Sequence, residues 1–194
     1  ALTSQINPHF LYNTLETIIW MAEFQDHKKV VEITKALSNY FRLSLNAGNE
    51  LVTLQQEIEH VRQYLFIQKE RYGDKLNYRI DFSEEIPPIM IPKIVIQPLV
   101  ENAIYHGIKE IDRPGQIDIT LLKIDEWIEI CIADNGVGMS GKETSSKQLG
   151  GIGIKNVTER LKLFFGEAFT MTIDSKPNEY TKVYLRIPIK RQQD

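Results

Sequence analysis

The sequence predicts an α+β protein, in which a helical N-terminal unit is followed by a unit that mixes helices and strands. Over about the first 70 residues, apolar side chains recur at helical intervals and Gly48 is the one glycine. After Gly73, segments of alternating polarity separated by turn residues are typical of strands. We therefore predict two domains, residues 1–72 and residues 73–194.

An apolar stripe marks each of the three helices predicted in the N-terminal unit. The stripes are Leu11, Leu15, Ile18 and Ala22; Val30, Ile33, Leu37, Tyr40 and Phe41; and Leu54, Ile58, Val61 and Leu65. Thr53 and Gln56 have the spacing of a capping box for the third helix, which should end near Gly73. Pro8 suits either the first turn of the first helix or a kink in a longer one.

Strands and helices are both predicted in the C-terminal unit. The segment LNYRIDF is predicted as a strand and IPPIMIP as a connection, followed by a helix in IVIQPLVENAIYHG. A hairpin with its turn near Asp125 is predicted from QIDITLLKI and WIEICIAD. A further helix in IKNVTERLKLFFG precedes a final hairpin, formed by FTMTIDS and TKVYLRIPI.

The bulk composition narrows the classes of protein to consider. With 42% hydrophobic and 25% charged residues, the chain has the make-up of a soluble globular protein. The net charge of −3 offers no electrostatic basis for a nucleic-acid partner, and a single cysteine excludes an internal disulfide. The sequence contains no run of about 20 apolar residues, which a membrane-spanning helix would need. The start at Ala1 without methionine leads us to expect a soluble piece of a longer protein.

His9 is a candidate for chemistry because it lies opposite the first apolar stripe, with Asn13 one helical turn away. A neutral imidazole can act as a nucleophile without a dedicated strong base. No neighbouring histidine or cysteine would help it to hold a metal ion. Taken alone, an ordinary surface histidine near a helix start explains this position at least as well.

Three later motifs would suit a nucleotide. Asn102 and His106 are neighbours on one helix face, where an amide oxygen is a ligand that Mg²⁺ accepts. In ADNGVGM, Asp134 follows a strand end and two glycines let the backbone approach a flat ligand. In LGGIGIKNV, glycines lead into a helix whose N–H groups favour an anion, although no Walker lysine follows. A polar helix edge ending at an ordinary Gly107, a glycine-rich turn and a plain helix start are the alternatives.

Together, and in this order, four motifs resemble the histidine, asparagine and two glycine-rich boxes of sensor histidine kinases: NPHFLYN, QPLVENAIYHG, DNGVGM and GGIGIKNV. The resemblance is to the LytS/YesM type and includes its linker helix in LQQEIEHVRQYLFIQKERYGDKL, so it extends over nearly the whole chain. It implies a Bergerat-type α/β sandwich, in which helices cover one face of a mixed sheet. It also implies a homodimer formed through the N-terminal helices.

The same resemblance implies a site for ATP and Mg²⁺. Asp134 would bind the adenine amine beside the glycines of DNGVGM, and Asn102 would coordinate Mg²⁺. The glycines of GGIG would line the triphosphate next to a lid at residues 139–153. The residues assigned to the site are Asn102, His106, Asp134, Gly136, Gly138, Met139, Gly151, Gly153, Ile154 and Lys155.

By the same resemblance, His9 would accept the γ-phosphoryl group and Asn13 would be a possible orienting group. The phosphoryl group would pass to an aspartate on the receiver domain of a response regulator. The parent protein would be a cell-membrane sensor anchored upstream of residue 1, with this chain as its cytoplasmic part. A non-kinase ATPase or a nucleotide-sensing scaffold of the same superfamily are the alternatives.

Two positions depart from the family pattern. Phe10 stands where many histidine kinases have an acidic residue that serves as base, and Glu16 is roughly 10 Å along the helix axis from His9. Tyr105 stands where relatives often have a lysine that contacts phosphate. The missing positive charge would then come from one of three residues: Lys109, Lys155 or Arg160.

Overall fold

The computed structural model describes residues 7–45, 49–82, 86–139 and 152–189. Its α-helices are α1 (Pro8–Glu23), α2 (His27–Leu45), α3 (Leu54–Tyr72), α4 (Gln97–Asn102) and α5 (Ile152–Phe165), and a π-helical turn, Ala103–Ile108, continues α4. The strands are β1 (Leu51–Thr53), β2 (Leu76–Phe82), β3 (Met90–Pro92), β4 (Gly115–Ile124), β5 (Trp127–Asp134), β6 (Thr170–Lys176) and β7 (Tyr180–Pro188). Within these ranges, no helix has both the length and the apolar character that crossing a bilayer requires.

Local interactions readable in the sequence set the ends of two N-terminal helices. Helix α1 begins at Pro8, and the side-chain oxygen of Asn7 accepts hydrogen bonds from the backbone N–H groups of His9 and Phe10. Helix α3 has the predicted capping box and ends at Gly73, whose φ of 59° places it in the left-handed region. The predicted apolar stripes of α2 and α3 form much of the core between them.

The buried face of α1 differs from the predicted stripe. Phe10, Thr14 and Met21 are buried, whereas Leu15 and Ala22 of that stripe are exposed. The cause is Phe10, whose ring packs 4.8 Å from that of Tyr40 and 5.1 Å from that of Tyr64 between ring centroids. Helix α1 therefore turns Phe10 towards α2 and α3, and a second apolar face remains at the surface.

Five strands form a mixed sheet in the order β2–β4–β5–β7–β6, as the resemblance implied. Strands β2 and β4 are parallel, and the other neighbouring pairs are antiparallel. One side of the three central strands is buried through Ile117, Ile119, Leu121, Ile128, Ile130, Ile132, Val183, Leu185 and Ile187. The π-helical turn packs on this sheet, and α4 packs against α5. The predicted fold class, an α+β sandwich behind a helical segment, is confirmed.

Two local predictions were wrong. Part of the predicted connection IPPIMIP is a strand, β3, which pairs antiparallel with β1 directly before α3. The helix predicted over IVIQPLVENAIYHG begins only at Gln97 and passes into the π-helical turn at Ala103. Strands of three residues are too short to show alternation, and a π-helical turn has no signal in apolar periodicity.

Candidate functional site

A cavity of about 560 Å³ in the C-terminal part lies between α4, the π-helical turn, strands β5 and β7, and the start of α5. It brings together six of the residues that the motifs predicted: Asn102, His106, Asp134, Gly138, Met139 and Ile154. Apolar side chains from the helices and strands line the rest of its wall, so a flat, largely apolar group would fit against them.

Asp134 is the buried acidic group of this cavity. It is the last residue of β5, directly opposite Thr181 of β7 in the sheet register. Burial raises the pKa of Asp134 to about 6, and the hydrogen bond that the Gly136 N–H donates to its Oδ1, at 2.9 Å, opposes that rise. The carboxylate thus keeps acceptor capacity for a donor that enters the cavity.

Glycine is required where the turn after β5 meets the π-helical turn. A Cβ on Gly136 would overlap the backbone of Gly107, and a Cβ on Gly107 would lie 2.5 Å from Oδ1 of Asp134. The Val137 N–H donates to the carbonyl oxygen of Gly107 at 3.1 Å, which joins the two segments. The alternative of an ordinary helix-ending Gly107 is therefore wrong, because this glycine lies inside the turn and makes room for the carboxylate.

Asn102 and His106 reach the cavity from α4 and the π-helical turn. The Asn102 Nδ2 is buried without a hydrogen-bond partner in the parts of the chain that the structure describes. This nitrogen can donate a hydrogen bond to a ligand, whereas Mg²⁺ would take the amide oxygen, so the role of Asn102 at Mg²⁺ stays a prediction. Within the same described ranges, no group of three or more histidine, cysteine or acidic residues could hold a metal ion by itself. A metal here would also need oxygen atoms from the nucleotide.

His9 lies outside this cavity, exposed in the first turn of α1. The Asn13 Nδ2 is 3.1 Å from Nδ1 and 3.2 Å from Nε2 of the imidazole. Phe10, which stands in the place of the family's acidic residue, points into the core and is 2% exposed. The imidazole of His9 is thus exposed to solvent, and the Asn13 amide lies beside it.

Two family models match the chain. Residues 1–76 match the model described as histidine kinase. Residues 90–191, just over half of the chain, match that of the histidine kinase-, DNA gyrase B- and HSP90-like ATPases. The chain belongs to this ATPase family. The chain therefore carries an ATP-binding domain of this family, and its residues 1–76 are similar to histidine kinases.

Sensor histidine kinases are among the relatives of this ATPase-family chain. It is 38% identical to YesM of Bacillus subtilis (strain 168) over 99% of its own length and 33% of YesM. It is 34% identical to BtsS of Escherichia coli (strain K12) over 96% of its length and 32% of BtsS. The chain thus spans about one third of the length of these curated relatives. The structure of the Acinetobacter baumannii histidine kinase AdeS has the same fold, with a TM-score of 0.55 at 17% identity, over 88% of this chain and 82% of AdeS.

Other predicted ATP-site residues lie beside or beyond the cavity wall. Gly136 shapes the turn through its backbone, and Gly153 lies in the first turn of α5, near Pro98. Lys155 is 77% exposed and lies 4.0 Å from Glu159, and Arg160 donates to the carbonyl oxygen of Lys93 at 2.9 Å. Gly151 and residues 140–150 of the predicted lid lie outside the described residues. The roles assigned to all of these residues stay predictions.

Sequence reasoning missed several residues of the ATPase cavity: Leu99, Ala103, Gly107, Ile132, Val137, Ile173, Thr181 and Val183. Thr181 is the polar member of this set and faces Asp134 across the β5–β7 pair. The hairpin pattern placed Thr181 on a strand, but nothing in the sequence indicated that this strand pairs with β5. Gly107 belongs to the YHG segment of the asparagine motif, but its role, which is to make room for the Asp134 carboxylate, depends on a residue 27 positions later.

Gly107→Ala should weaken ATP binding by about tenfold or more, because the added methyl group would displace the Asp134 carboxylate, the predicted acceptor for the adenine amine. The same overlap should lower the free energy of unfolding by about 1–3 kcal/mol. Calorimetric titration with ATP and thermal unfolding measure the two effects separately. Unchanged affinity in a variant that folds normally would show that the carboxylate is not held at this distance.

Proposed function

We propose that this chain is the catalytic core of a two-component sensor kinase, which transfers the γ-phosphoryl group of Mg·ATP to His9. From His9 the group would pass to an aspartate of a response-regulator receiver domain. The observation that carries the proposal is an accessible imidazole on α1 in the same chain as an ATP-binding domain of the histidine kinase kind. Residues 1–72 would form the dimerising phosphotransfer domain and residues 73–194 the ATP-binding domain of a longer, membrane-anchored sensor.

The cavity supports a division of the nucleotide between two ends. Asp134 and Thr181, at the strand ends, would accept and donate hydrogen bonds at the adenine, with Gly138 close to the ring. Asn102 would be the protein ligand of Mg²⁺, which supplies charge neutralisation at the phosphates when bound. The start of α5 around Gly153 is the segment nearest to the predicted triphosphate position.

Phosphoryl transfer would form a bond between an imidazole nitrogen of His9 and the γ-phosphorus, as the bond from that phosphorus to the bridging oxygen of ADP breaks. The attacking nitrogen would be the one without hydrogen, and the proton on the other ring nitrogen would pass to solvent, to which the ring is exposed. Such transfer depends on positioning and charge stabilisation more than on a strong base, so the absence of an acid at Phe10 does not prevent it. Asn13, within hydrogen-bond distance of the ring, would orient the imidazole for attack.

Incubation with γ-labelled ATP and Mg²⁺ tests this function. If the chain is a histidine kinase, the protein should become labelled, and the label should be labile in acid and stable in base. A non-kinase ATPase would instead release phosphate over many turnovers without labelling the protein. A nucleotide-sensing scaffold would bind ATP and do neither, even with a receiver domain present.

We also propose that α1 forms the homodimer interface through an apolar face that lies at the surface of the described chain. Its five large side chains are between 43% and 69% exposed: Tyr12, Leu15, Ile19, Trp20 and Phe24. Trp20 and Phe24 pack on each other at 4.8 Å between ring centroids. The groove beside them is lined by these rings, by Met21 and otherwise by polar and charged side chains, among them Glu16 and Lys29. An apolar face of this kind usually marks a protein–protein interface, and the predicted dimerisation segment contains it.

Trp20→Glu should dissociate the dimer, because burying an unpaired charge at an aromatic contact costs about 2 kcal/mol or more per site. Each dimer carries the change twice, about 4 kcal/mol in all, so the dissociation constant should rise by roughly a thousandfold. Analytical ultracentrifugation over a range of concentrations measures it. Leu163→Glu is the matched control, because Leu163 is 88% exposed on α5 and lies outside the proposed interface. Equal dissociation constants for both variants and the parent would refute this interface.

A further inference from the structure

Glu57 is a buried carboxylate that joins helix α3 to the segment in front of helix α4. It is 2% exposed, and its two oxygens accept three backbone hydrogen bonds from that segment. Oε2 accepts from the N–H of Ile94 at 2.9 Å, and Oε1 accepts from those of Val95 and Ile96 at 2.8 and 2.9 Å. Burial raises the pKa of Glu57, and these backbone N–H groups oppose the rise. The carboxylate is thus held by donors that belong to another part of the chain.

The Ile96 N–H belongs to the cap position of α4, where a helix has backbone donors without partners inside the helix, and the N–H groups of Ile94 and Val95 lie directly before it. The residue at the cap position, Ile96, has no side-chain oxygen and makes no side-chain cap. Glu57 supplies the missing acceptor from α3, and its negative charge suits the positive end of the helix. Helix α4 is therefore capped by a residue 40 positions before its first residue, Gln97.

The backbone beside this contact adopts an unfavourable conformation. Ile94 has a φ of 57°, in the left-handed region that a β-branched residue rarely adopts. Such a conformation persists where its surroundings determine it. Glu57 holds one side, and the backbone bond from the Lys93 N–H to the carbonyl oxygen of Glu50 holds the other at 3.0 Å. The path into α4 thus depends on contacts from the α3 side of the molecule.

Helix α4 has only six residues, and its last one is Asn102 in the wall of the cavity. A change in the position of its first turn would therefore be transmitted directly to Asn102. The same turn also contacts α2, since the Gln97 Nε2 donates to the hydroxyl of Tyr40 at 2.8 Å. In contrast, Asp134 and Thr181 lie on β5 and β7, and the three hydrogen bonds that Glu57 accepts come from neither strand.

We propose that Glu57 is a positioning residue for phosphoryl transfer, which fixes the orientation of α4 and so places Asn102 at the phosphate end of the nucleotide. Adenine binding at Asp134 does not depend on it. The proposal rests on the proposed function for its kinetic consequence. Its structural consequence, the capping of residues 94–96 by a carboxylate of α3, is open to test without any turnover.

Glu57→Gln tests the proposal in the whole chain, because the amide presents N–H groups to backbone donors that need an acceptor. The rate constant for His9 labelling at saturating Mg·ATP should fall by about tenfold or more, because a small misplacement of reacting groups lowers a reaction rate by such a factor. Affinity for ADP without Mg²⁺ should stay within about twofold, because its adenine end is intact. Backbone amides 94–96 should exchange hydrogen faster, while those of β5 and β7 keep their protection. Glu59→Gln, an exposed change on the same helix, should alter none of these values.

The outcomes distinguish a failure of the proposed function from a failure of the positioning role of Glu57. If the parent acquires no label, the proposed function fails, and amide exchange and ADP affinity still judge Glu57. If the parent is labelled and Glu57→Gln is labelled at the same rate, the positioning role is refuted. Should Glu57→Gln fail to fold, the comparison moves to the Ile94→Gly background, since glycine adopts the left-handed conformation without strain. There the double variant should fold and remain about tenfold slower than Ile94→Gly alone, and equal rates would overturn the proposal.

Discussion

Replacing His9 by glutamine is expected to reduce protein labelling from γ-labelled ATP to background while ATP binding stays within about twofold. A glutamine amide has no nucleophilic nitrogen with which to form a phosphoramidate. His9 is exposed and lies outside the cavity, so neither the ATP site nor the core loses a contact. Surface substitutions of this kind usually change stability by no more than about 0.5 kcal/mol. Labelling and calorimetric titration on the same preparation distinguish loss of the phosphoryl acceptor from loss of ATP binding.

His27→Gln is the matched control, because His27 is also exposed near a helix start, at the first residue of α2. It should be labelled as strongly as the parent. Persistent label in His9→Gln would mean that another residue accepts the phosphoryl group, although the ATP site would stand. Loss of label in both variants would point to a general defect instead of a lost acceptor. The pair therefore tests the assignment of the nucleophile on its own.

The parts of the fold that the sequence predicts well are those set by local interactions. The Thr53–Gln56 capping box and Gly73 lie next to the helix ends that they determine, and their geometry requires no distant partner. The hairpin between β4 and β5 is equally local, with Asp125 at a φ of 53° in its turn. The α2 stripe was readable because one face of that helix packs mainly on one neighbour, α3.

Contacts between residues far apart in the chain were not predictable in this way. Glu57 reads as one more polar position on a helix, and its burial is decided by N–H groups 37–39 residues later. The rotation of α1 about its own axis, which buries Phe10, depends on the aromatic rings of α2 and α3 that surround Phe10. The β1–β3 pair joins segments that have no pattern of their own. The contacts of Glu57 and the β1–β3 pair also cross the predicted domain boundary at residues 72 and 73, which stays a prediction.

The candidate site shows the same division between local motifs and distant contacts. Motif spacing identified Asn102, Asp134 and Met139 because each belongs to a short segment with a recognisable composition, and all three line one cavity. Thr181 belongs to no such segment, and only the sheet register places it opposite Asp134. Short motifs thus predict some of the residues that line the cavity, whereas strand pairing decides which ordinary residues complete its wall.

Asp134→Asn is expected to make the protein more stable above pH 6 while weakening its binding of ATP. Burial raises the pKa of Asp134 from an ordinary 3.8 to about 6, so the folded protein binds this proton more tightly than the unfolded chain does. Stability then falls as pH rises from about 4 to about 6 and stays lower above that range. Removing the charge should restore up to about 3 kcal/mol at pH 8, since one pKa unit corresponds to about 1.4 kcal/mol. Denaturant unfolding at pH 8 and pH 4 measures this, and the gain should largely disappear at pH 4.

The same substitution should weaken ATP binding by about tenfold to a hundredfold at pH 8, because a hydrogen bond to a charged acceptor contributes about 1.5–3 kcal/mol. In the parent, affinity should fall as pH drops below about 6, since protonation removes the acceptor for the adenine amine. Asp134→Asn should lack that part of the pH dependence. Asp112→Asn, an exposed control, should change neither stability nor binding. A variant at Asp134 that binds ATP as tightly as the parent across this pH range would place the adenine elsewhere, because the predicted adenine contact depends on this carboxylate.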